Sequence, residues 1–168
     1  MDDRIVISAY DPDWPRQFLA ERDRLISHLA EAVHIGSTAV PGLDAKPVID
    51  VMGGVVALAD ADAAIPHIEA LGYEYISEHE STMPYRRFFR LQRDGVRIAH
   101  LHVVEMTHTF WRDHLAFRDW LRDHDQDSRA YAALKHDLAT RFADDRSAYT
   151  RAKSEFIAEL MVKALDRL

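Results

Sequence analysis

The dipeptide Asp94-Gly95, set between two runs of β-forming residues, constrains the fold more than any other feature of the sequence. Asp-Gly favours the tight turn of a β-hairpin, because that turn needs backbone angles that these two residues tolerate. The flanking runs are residues 87–91 before the turn and 96–103 after it. The sequence therefore predicts an antiparallel pair of strands here.

Strand and helix patterns alternate before the hairpin. Apolar residues recur at helical offsets from about residue 15 to residue 32, so one stripe of this helix is expected to face the core. A second helix is predicted to begin at Asp60 or Asp62, to hold Pro66 in its first turn and to stop at Gly72. The predicted strands of this part are 5–7, 33–35, 48–52 and 73–76.

Strand signals stop near residue 107, and three helical patterns follow, each preceded by a capping-type residue. They begin near 107, 127 and 145 and run to 124, 142 and 168. A mixed sheet followed by a helical third is an α+β order. We therefore expect a core over residues 1–106, with flanking helices, and a C-terminal helical subdomain over 107–168 that packs on it.

Composition narrows the possible partners and compartments. Lys and Arg number 21 against 28 Asp and Glu, a net charge of −7, so the surface lacks the positive field used in non-specific nucleic-acid binding. The chain has no cysteine, which removes disulfides, thiol nucleophiles and cysteine-ligated zinc. Neither a signal-like segment nor a long apolar run is present. We expect a cytoplasmic protein without a nucleic-acid or membrane partner, its oligomeric state left open.

A glycine-rich turn and a strand-borne acid carry the strongest chemical signal. In Gly36-Ser37-Thr38, glycine allows close backbone approach to a ligand, and the hydroxyls can donate to phosphate oxygens. Asp50 lies inside the apolar strand 48–52, where an ionised carboxylate is costly unless it is paired or bound to a metal. Together they predict a site for an anion and a cation.

This pairing is similar to the opening pattern of the nucleotidyltransferase superfamily, and the longer run HIGSTAVPGLDAKPVID, residues 34–50, resembles the GrpB family, one of its branches. AYDPDWPRQF, HLHV, FRDWLR, YAALK and YTRAKSEFI, which begin at residues 9, 100, 117, 131 and 149, extend the resemblance over nearly the whole chain. It implies a nucleotidyltransferase-like mixed β-sheet, a turn that holds a triphosphate and strand carboxylates that hold magnesium.

One position departs from the superfamily pattern. A second carboxylate usually follows two residues after the first, on the same strand face, and here that position is Met52. Two such acids bridge two magnesium ions, whereas one acid beside a thioether does not. Asp50 is therefore expected to bind at most one ion, or to be a buried structural carboxylate.

His100 and His102 also lie two residues apart, so both rings leave one face of the second hairpin strand. If Asp50 faces them, the three side chains form a candidate metal site that favours zinc, manganese or ferrous iron over magnesium. The predicted cofactor is thus a divalent ion, Mg, Mn or Zn. The alternative is a structural pair of histidines on a covered sheet face.

Several further side chains are candidates for phosphate binding. Lys46 lies in a loop stiffened by prolines, and one arginine of the segment 86–90 is expected in the cleft. Lys135 and Lys153 each follow a tyrosine by four residues and are expected to hold polyphosphate, or else to snorkel past packed tyrosine rings. The candidate substrate-binding residues are His34, Gly36, Ser37, Thr38, Lys46, Arg86, Lys135 and Lys153.

Three functions are consistent with these residues. The resemblance implies nucleotidyl transfer from a nucleoside triphosphate to a small acceptor, with Asp50, His100 and His102 as the catalytic candidates. In that case a histidine either ligates the ion or takes the proton from the acceptor hydroxyl. The alternatives are a non-catalytic module that binds a nucleotide or phosphometabolite, and a metal-dependent hydrolase that uses the Asp/His cluster.

Overall fold

A five-stranded mixed β-sheet forms the centre of the protein. The structure is a computed structural model that describes residues 4–168, so residues 1–3 of the predicted core lie outside the described part. The strands are β1 (Glu31–Ile35), β2 (Ile49–Val55), β3 (Tyr73–Tyr75), β4 (Arg86–Arg93) and β5 (Val96–Glu105). Their order is β1-β2-β5-β4-β3, and only the central β2/β5 pair is parallel.

Five α-helices surround the sheet. They are α1 (Trp14–Leu25), α2 (Leu58–Ala70), α3 (Thr109–Asp123), α4 (Asp125–Arg141) and α5 (Arg146–Leu165). Helices α1 and α2 cover one sheet face, where Phe18 and Ile68 pack against Val51, Phe89 and Leu101 of three adjacent strands. These side chains form the main hydrophobic core.

Helix α3 covers part of the opposite sheet face and also joins the C-terminal helices. Phe110, Trp111 and Leu115 of α3 pack on Met52 and Val104. Leu121 of α3 belongs to a second cluster, with Tyr131 of α4 and Leu160 of α5. The last three helices are therefore anchored to the sheet through α3.

The mixed sheet, the flanking helices and the terminal helices agree with the fold expected from the sequence. The hairpin is confirmed: β4 and β5 pair antiparallel, and Asp94 and Gly95 have φ values of 52° and 77°. Positive φ at both central positions is what the tight hairpin turn requires. The predicted strands 48–52 and 73–76 correspond to β2 and β3.

Three predicted elements differ from the structure. The first helix ends at Leu25 rather than near Ala32, because a short 3₁₀ turn follows and Ala32 pairs with Gly53 in the sheet. Pairing with β2 overrides the helical periodicity there. Helix α2 begins at Leu58, so Pro66 lies in its interior rather than in its first turn.

The predicted strand 5–7 is also wrong. This segment makes only an isolated bridge between Ser8 and Ala45, and the amide of Ile5 donates to the carbonyl oxygen of Ala143 at 2.9 Å. The Ile5 side chain is buried against Leu138 and Tyr149. Packing on the C-terminal helices therefore takes the place of sheet pairing.

Within residues 4–168 no helix is long and apolar enough to cross a membrane.

Candidate functional site

Gly36 brings the loop after β1 directly against the Asp50 carboxylate. Gly36 has φ +74°, and a Cβ atom there would lie 2.7 Å from Asp50 Oδ2. Any other residue at position 36 would therefore have a strained backbone and would clash with Asp50. The next three residues, Ser37–Ala39, form a 3₁₀ turn. The predicted turn and the predicted acid thus lie side by side.

Contacts from three elements hold this turn. Arg118 Nη1 donates to the carbonyl oxygen of His34 at 3.1 Å, and Arg122 Nε donates to that of Ala39 at 2.9 Å. The buried His34 ring bonds to Thr38 Oγ1 at 2.9 Å and stacks on Phe18. Burial lowers the pKa of His34 to about 4, so the ring is neutral at pH 7. His34 and Thr38 thus support the turn from beneath.

The sequence interpretation missed Arg118 and Arg122 as supports of the turn. The two arginines lie four residues apart on one helix face, with Asp119 and Asp123 adjacent to them, and this pattern is typical of a solvated charged face. Arg118 does pair with Asp119 at 2.8 Å. However, its second nitrogen reaches across to the loop, a contact 84 residues away in sequence that no local pattern signals.

Asp50 accepts a hydrogen bond from an imidazole on the neighbouring strand. His100 Nδ1 lies 3.2 Å from Asp50 Oδ1, and His102 Nε2 lies 3.6 Å from the same oxygen. Burial alone would raise the pKa of Asp50, but the interactions with His100 and His102 outweigh it and hold the pKa below its ordinary value. Asp50 is therefore an ionised carboxylate that only accepts.

The hydrogen-bond partners assign a tautomer to each ring. Arg86 Nη1 lies 3.1 Å from His102 Nδ1, and a guanidinium only donates. Nδ1 of His102 therefore accepts, which leaves the proton on Nε2, towards Asp50. Burial lowers the pKa of His102 to about 4, opposed by Asp50. In His100 the bond to the Asp50 carboxylate places a proton on Nδ1, and Nε2 is buried without a hydrogen-bond partner.

These contacts bear on the predicted metal site. Asp50, His100 and His102 lie together on one sheet face, but their polar atoms point at one another and at Arg86. Among residues 4–168, no group of three or more His, Cys, Asp and Glu is placed to hold a metal ion. The three-ligand arrangement does not fit this geometry. The other oxygen, Asp50 Oδ2, faces the Gly36 turn.

Three lysines converge beside the turn. They line a cavity of about 180 Å³, here called the lysine pocket, together with Asp50 and His100. The lysines are Lys46, Lys135 and Lys153. The remaining lining residues are Gly36, Ser37, Thr38, Ala45, Val48, Tyr131 and Tyr149. The pocket therefore collects residues from the first loop, the sheet and helices α4 and α5.

The lysine ammonium groups lie over aromatic rings rather than beside acids. Lys153 Nζ lies 4.5 Å and Lys46 Nζ 5.6 Å from the centroid of the Tyr149 ring, and Lys135 Nζ lies 4.7 Å from that of Tyr131. Lys135 also donates to the carbonyl oxygen of Asp44. Within residues 4–168, no ion pair joins these three lysines to a carboxylate.

Crowding and burial weaken the protonation of these lysines. Burial, together with the charge of Lys153, lowers the pKa of Lys135 to about 7. Burial lowers the pKa of Lys153 to about 8, with Lys46 adding to the effect. Repulsion among the ammonium groups is relieved when an anion binds between them.

Two other predicted positions lie outside the lysine pocket. Arg86 is buried on β4, contacts His102 and does not line the pocket. Met52 is fully buried beneath α3, in the cluster with Ile35 and Val104. Its side chain fills an apolar space, where an ionised acid would be costly.

A solved structure of another protein shares this fold. Cid1 poly(U) polymerase, in complex with its short product ApU, superimposes with a TM-score of 0.53 over 87% of this chain and 48% of that one, at 13% identity. The likeness extends to the fold alone. This chain therefore shares the fold of Cid1.

Closer relatives define the family. Residues 4–163 match the GrpB protein family, so the chain belongs to the GrpB family. It is 41% identical to a UPF0157 protein of Pseudomonas aeruginosa, over 98% of this chain and 69% of that protein. The crystal structure of GrpB from Enterococcus faecalis matches with a TM-score of 0.84 and 32% identity, covering 96% of this chain and 98% of that one.

Proposed function

We propose that this GrpB-family protein binds a nucleotide or another small phosphorylated molecule through its phosphate groups, in the lysine pocket. The observation that carries the proposal is the convergence of Lys46, Lys135 and Lys153 on one cavity whose lining includes a single acid, Asp50, with no ion pair to these lysines among residues 4–168. Three ammonium groups held at one place are costly unless an anion offsets them. Phosphate groups supply that charge.

Two polar groups of the pocket support the same ligand class. The hydroxyl of Tyr149 is buried without a hydrogen-bond partner, which a bound oxygen would correct. Ser37 lies at the start of the 3₁₀ turn, where its hydroxyl and the backbone amides can donate to phosphate oxygens. These hydroxyl and amide donors, together with the lysines, favour a ligand that carries phosphate groups.

Nucleotidyl transfer is the second candidate function, and one specific contact favours it. His100, which lines the lysine pocket, is hydrogen-bonded through Nδ1 to Asp50, so its unpartnered Nε2 points away from that carboxylate. An imidazole oriented in this way by a carboxylate is suited to take the proton from an attacking hydroxyl. That oxygen would then form a bond to the α-phosphorus while pyrophosphate leaves.

A single divalent ion is compatible with the donor set, although a three-ligand protein centre is not. Asp50 Oδ2 and the phosphate oxygens of the bound nucleotide are the hard oxygen ligands that magnesium and manganese prefer. When bound, the ion would neutralise charge on the phosphates. His100 and His102 would then act on Asp50 rather than on the ion.

Calorimetric titration with sodium tripolyphosphate, with and without Mg²⁺, Mn²⁺ or Zn²⁺, tests the binding proposal. Lys153→Gln should weaken binding at least about tenfold, because it removes one charge-assisted contact from a desolvated site. Lys163→Gln is the matched control, since Lys163 is exposed on the same helix and pairs with Asp127 at 3.3 Å. Equal affinities of both variants and the unaltered protein would contradict the proposal.

Transfer is tested separately, with each labelled nucleoside triphosphate and a pool of small metabolites. Release of labelled pyrophosphate together with a labelled nucleotidyl product supports transfer. Binding without any product leaves a binding module as the function. Both results use the full chain, because the lysine pocket draws on residues 36–153.

A further inference from the structure

Arg86 is a buried cation whose hydrogen bonds reach no negative charge. Its residue exposure is 7%, and its Nη1 and Nη2 atoms lie 3.1 Å from His102 Nδ1 and His79 Nδ1. Both ring nitrogens must accept from a guanidinium, so both act as neutral acceptors. Arg86 Nε is buried and has no hydrogen-bond partner.

The surroundings of Arg86 are otherwise apolar. Its guanidinium carbon lies 4.9 Å from the ring centroid of Phe88 and 5.9 Å from that of Phe110. Within residues 4–168, no carboxylate lies at ion-pair distance from Arg86. A buried charge without a counter-charge is strongly unfavourable. The arrangement is therefore that of a binding group whose counter-charge arrives with a ligand.

Arg90 and His79 lie near Arg86, and the three side chains together are called the arginine patch. Arg90 follows on the same face of β4, opposite His100, and its Nε is likewise buried without a hydrogen-bond partner. Arg90 pairs with Glu74 at 3.1 Å through its terminal nitrogen. His79 is exposed and stacks on Phe88 with 4.8 Å between ring centroids. The patch therefore has an exposed edge and an excess of positive charge.

The position of the patch relative to the lysine pocket indicates what it binds. Arg86 is absent from the lining of that pocket. It contacts His102, which lies 3.6 Å from Asp50. Two cationic places thus flank one carboxylate and the unpaired Nε2 of His100. A two-substrate reaction needs this arrangement, with the reacting groups between the two binding sites.

We propose that Arg86, Arg90 and His79 form a second subsite that binds the carboxylate or phosphate group of an anionic acceptor. The inference extends the proposed transfer function, because it names the class of second substrate. The anionic oxygens would face Arg86 and Arg90, and the apolar part of the acceptor would lie on Phe88. A hydroxyl of the same molecule would then be directed towards His100.

The first test uses the unaltered protein. Arginine is labelled with ¹⁵N, the lysine pocket is saturated with sodium tripolyphosphate, and the Nε–H resonance of Arg86 is followed by NMR. Addition of glycolate in one arm, and of inorganic phosphate in the other, should shift that resonance saturably. A shift with glycolate alone identifies a carboxylate subsite, and one with phosphate alone a phosphate subsite. No shift in either arm overturns the proposal.

Variants give an independent test of the charge. Arg86→Gln should abolish the calorimetric binding of the effective probe, a loss of at least tenfold, whereas Arg86→Lys should retain part of it. Arg141→Gln is the matched control, because Arg141 is exposed and pairs with Asp137 at 3.3 Å. Equal probe affinity in Arg86→Gln and Arg141→Gln would overturn the proposal. Thermal melts of each variant identify any that does not fold.

The outcome for this subsite separates from that of the lysine pocket. If tripolyphosphate fails to bind but glycolate or phosphate still shifts Arg86, the proposed function fails and the subsite stands. If tripolyphosphate binds and the probes do not reach Arg86, the subsite fails alone. If tripolyphosphate itself shifts Arg86 and blocks both probes, the patch belongs to the first binding site and the acceptor assignment is wrong.

Discussion

Gly36 and Asp50 are so close that a single methyl group at Gly36 would occupy the space of the carboxylate. The Cβ position lies 2.7 Å from Asp50 Oδ2 and 3.2 Å from Asp50 Cβ. Since Asp50 is also hydrogen-bonded to His100, it cannot turn away without losing that bond. The glycine therefore determines how near the turn comes to the acid.

Gly36→Ala should lower both stability and anion binding. A left-handed backbone angle and a clash are expected to cost about 1–3 kcal/mol of the free energy of unfolding. Gly42→Ala is the control, because Gly42 has φ +79° with nothing within 4 Å of its Cβ position. Denaturant unfolding and tripolyphosphate titration measure the difference. Equal losses in both variants would show that the backbone angle alone matters.

The depressed lysine pKa values predict two opposite pH dependences. The folded-state pKa values of Lys135 and Lys153, about 7 and about 8, lie below their ordinary value of 10.5. Between these values the unfolded chain binds more protons, so these lysines make the free energy of unfolding rise with pH from about 7 towards 10. Tripolyphosphate binding should weaken over the same range, because neutral amines attract anions less.

Lys153→Arg tests the assignment of this pH dependence. Arginine stays protonated throughout, so tripolyphosphate affinity in the variant should fall less between pH 7 and pH 9 than in the unaltered protein. Calorimetry at three pH values gives the two slopes. Identical slopes would mean that the titration of Lys153 does not control binding.

Met52→Asp should destabilise the protein rather than create a second metal ligand. Met52 is fully buried beside Ile35, Val104 and Trp111, so an aspartate there would be a buried, unpaired acid. We expect a loss of about 3 kcal/mol or more of the free energy of unfolding. Met52→Leu, which conserves volume, should cost under about 1.5 kcal/mol. Tighter Mg²⁺ binding by a stable Met52→Asp variant would refute this explanation.

His100→Asn separates proton transfer from binding. The asparagine amide can replace the Nδ1–H donor to Asp50, but it removes Nε2. If His100 is the general base, product formation in the labelled transfer assay should fall by about 10²–10⁴, with tripolyphosphate affinity within about twofold of the original. An unchanged rate would remove His100 from the mechanism.

Local rules were sufficient to predict the β4/β5 hairpin and the sheet face that its two histidines share. The Asp94-Gly95 turn requires particular backbone angles, and period-two alternation places His100 and His102 on one face. The Gly36 turn follows a strand in sequence, so its position beside β2 was accessible from the motif. These features depend on residues that are neighbours in sequence or are related by one hairpin.

Contacts over long sequence separations were not predictable in the same way. Arg118 was interpreted as part of a solvated face because Asp119 is adjacent to it, yet it also bonds to His34. Ala32 continued a helical apolar pattern, but the partner strand decided its conformation. One arginine of the segment 86–90 was expected in the cleft. Which side chain lies beside His102 depends on the pairing register of β4 and β5, and the residue pattern alone does not determine that register.

Arg118 and Arg122 support the turn from a distant part of the sequence. The carbonyl groups of His34 and Ala39 accept hydrogen bonds from arginines that follow them by more than 80 residues. During synthesis the turn therefore precedes its own supports, and a nascent chain that ends before α3 lacks them. If the turn takes part in binding as proposed, a chain that ends before α3 should not bind tripolyphosphate. Binding would then report whether α3 has packed against the turn.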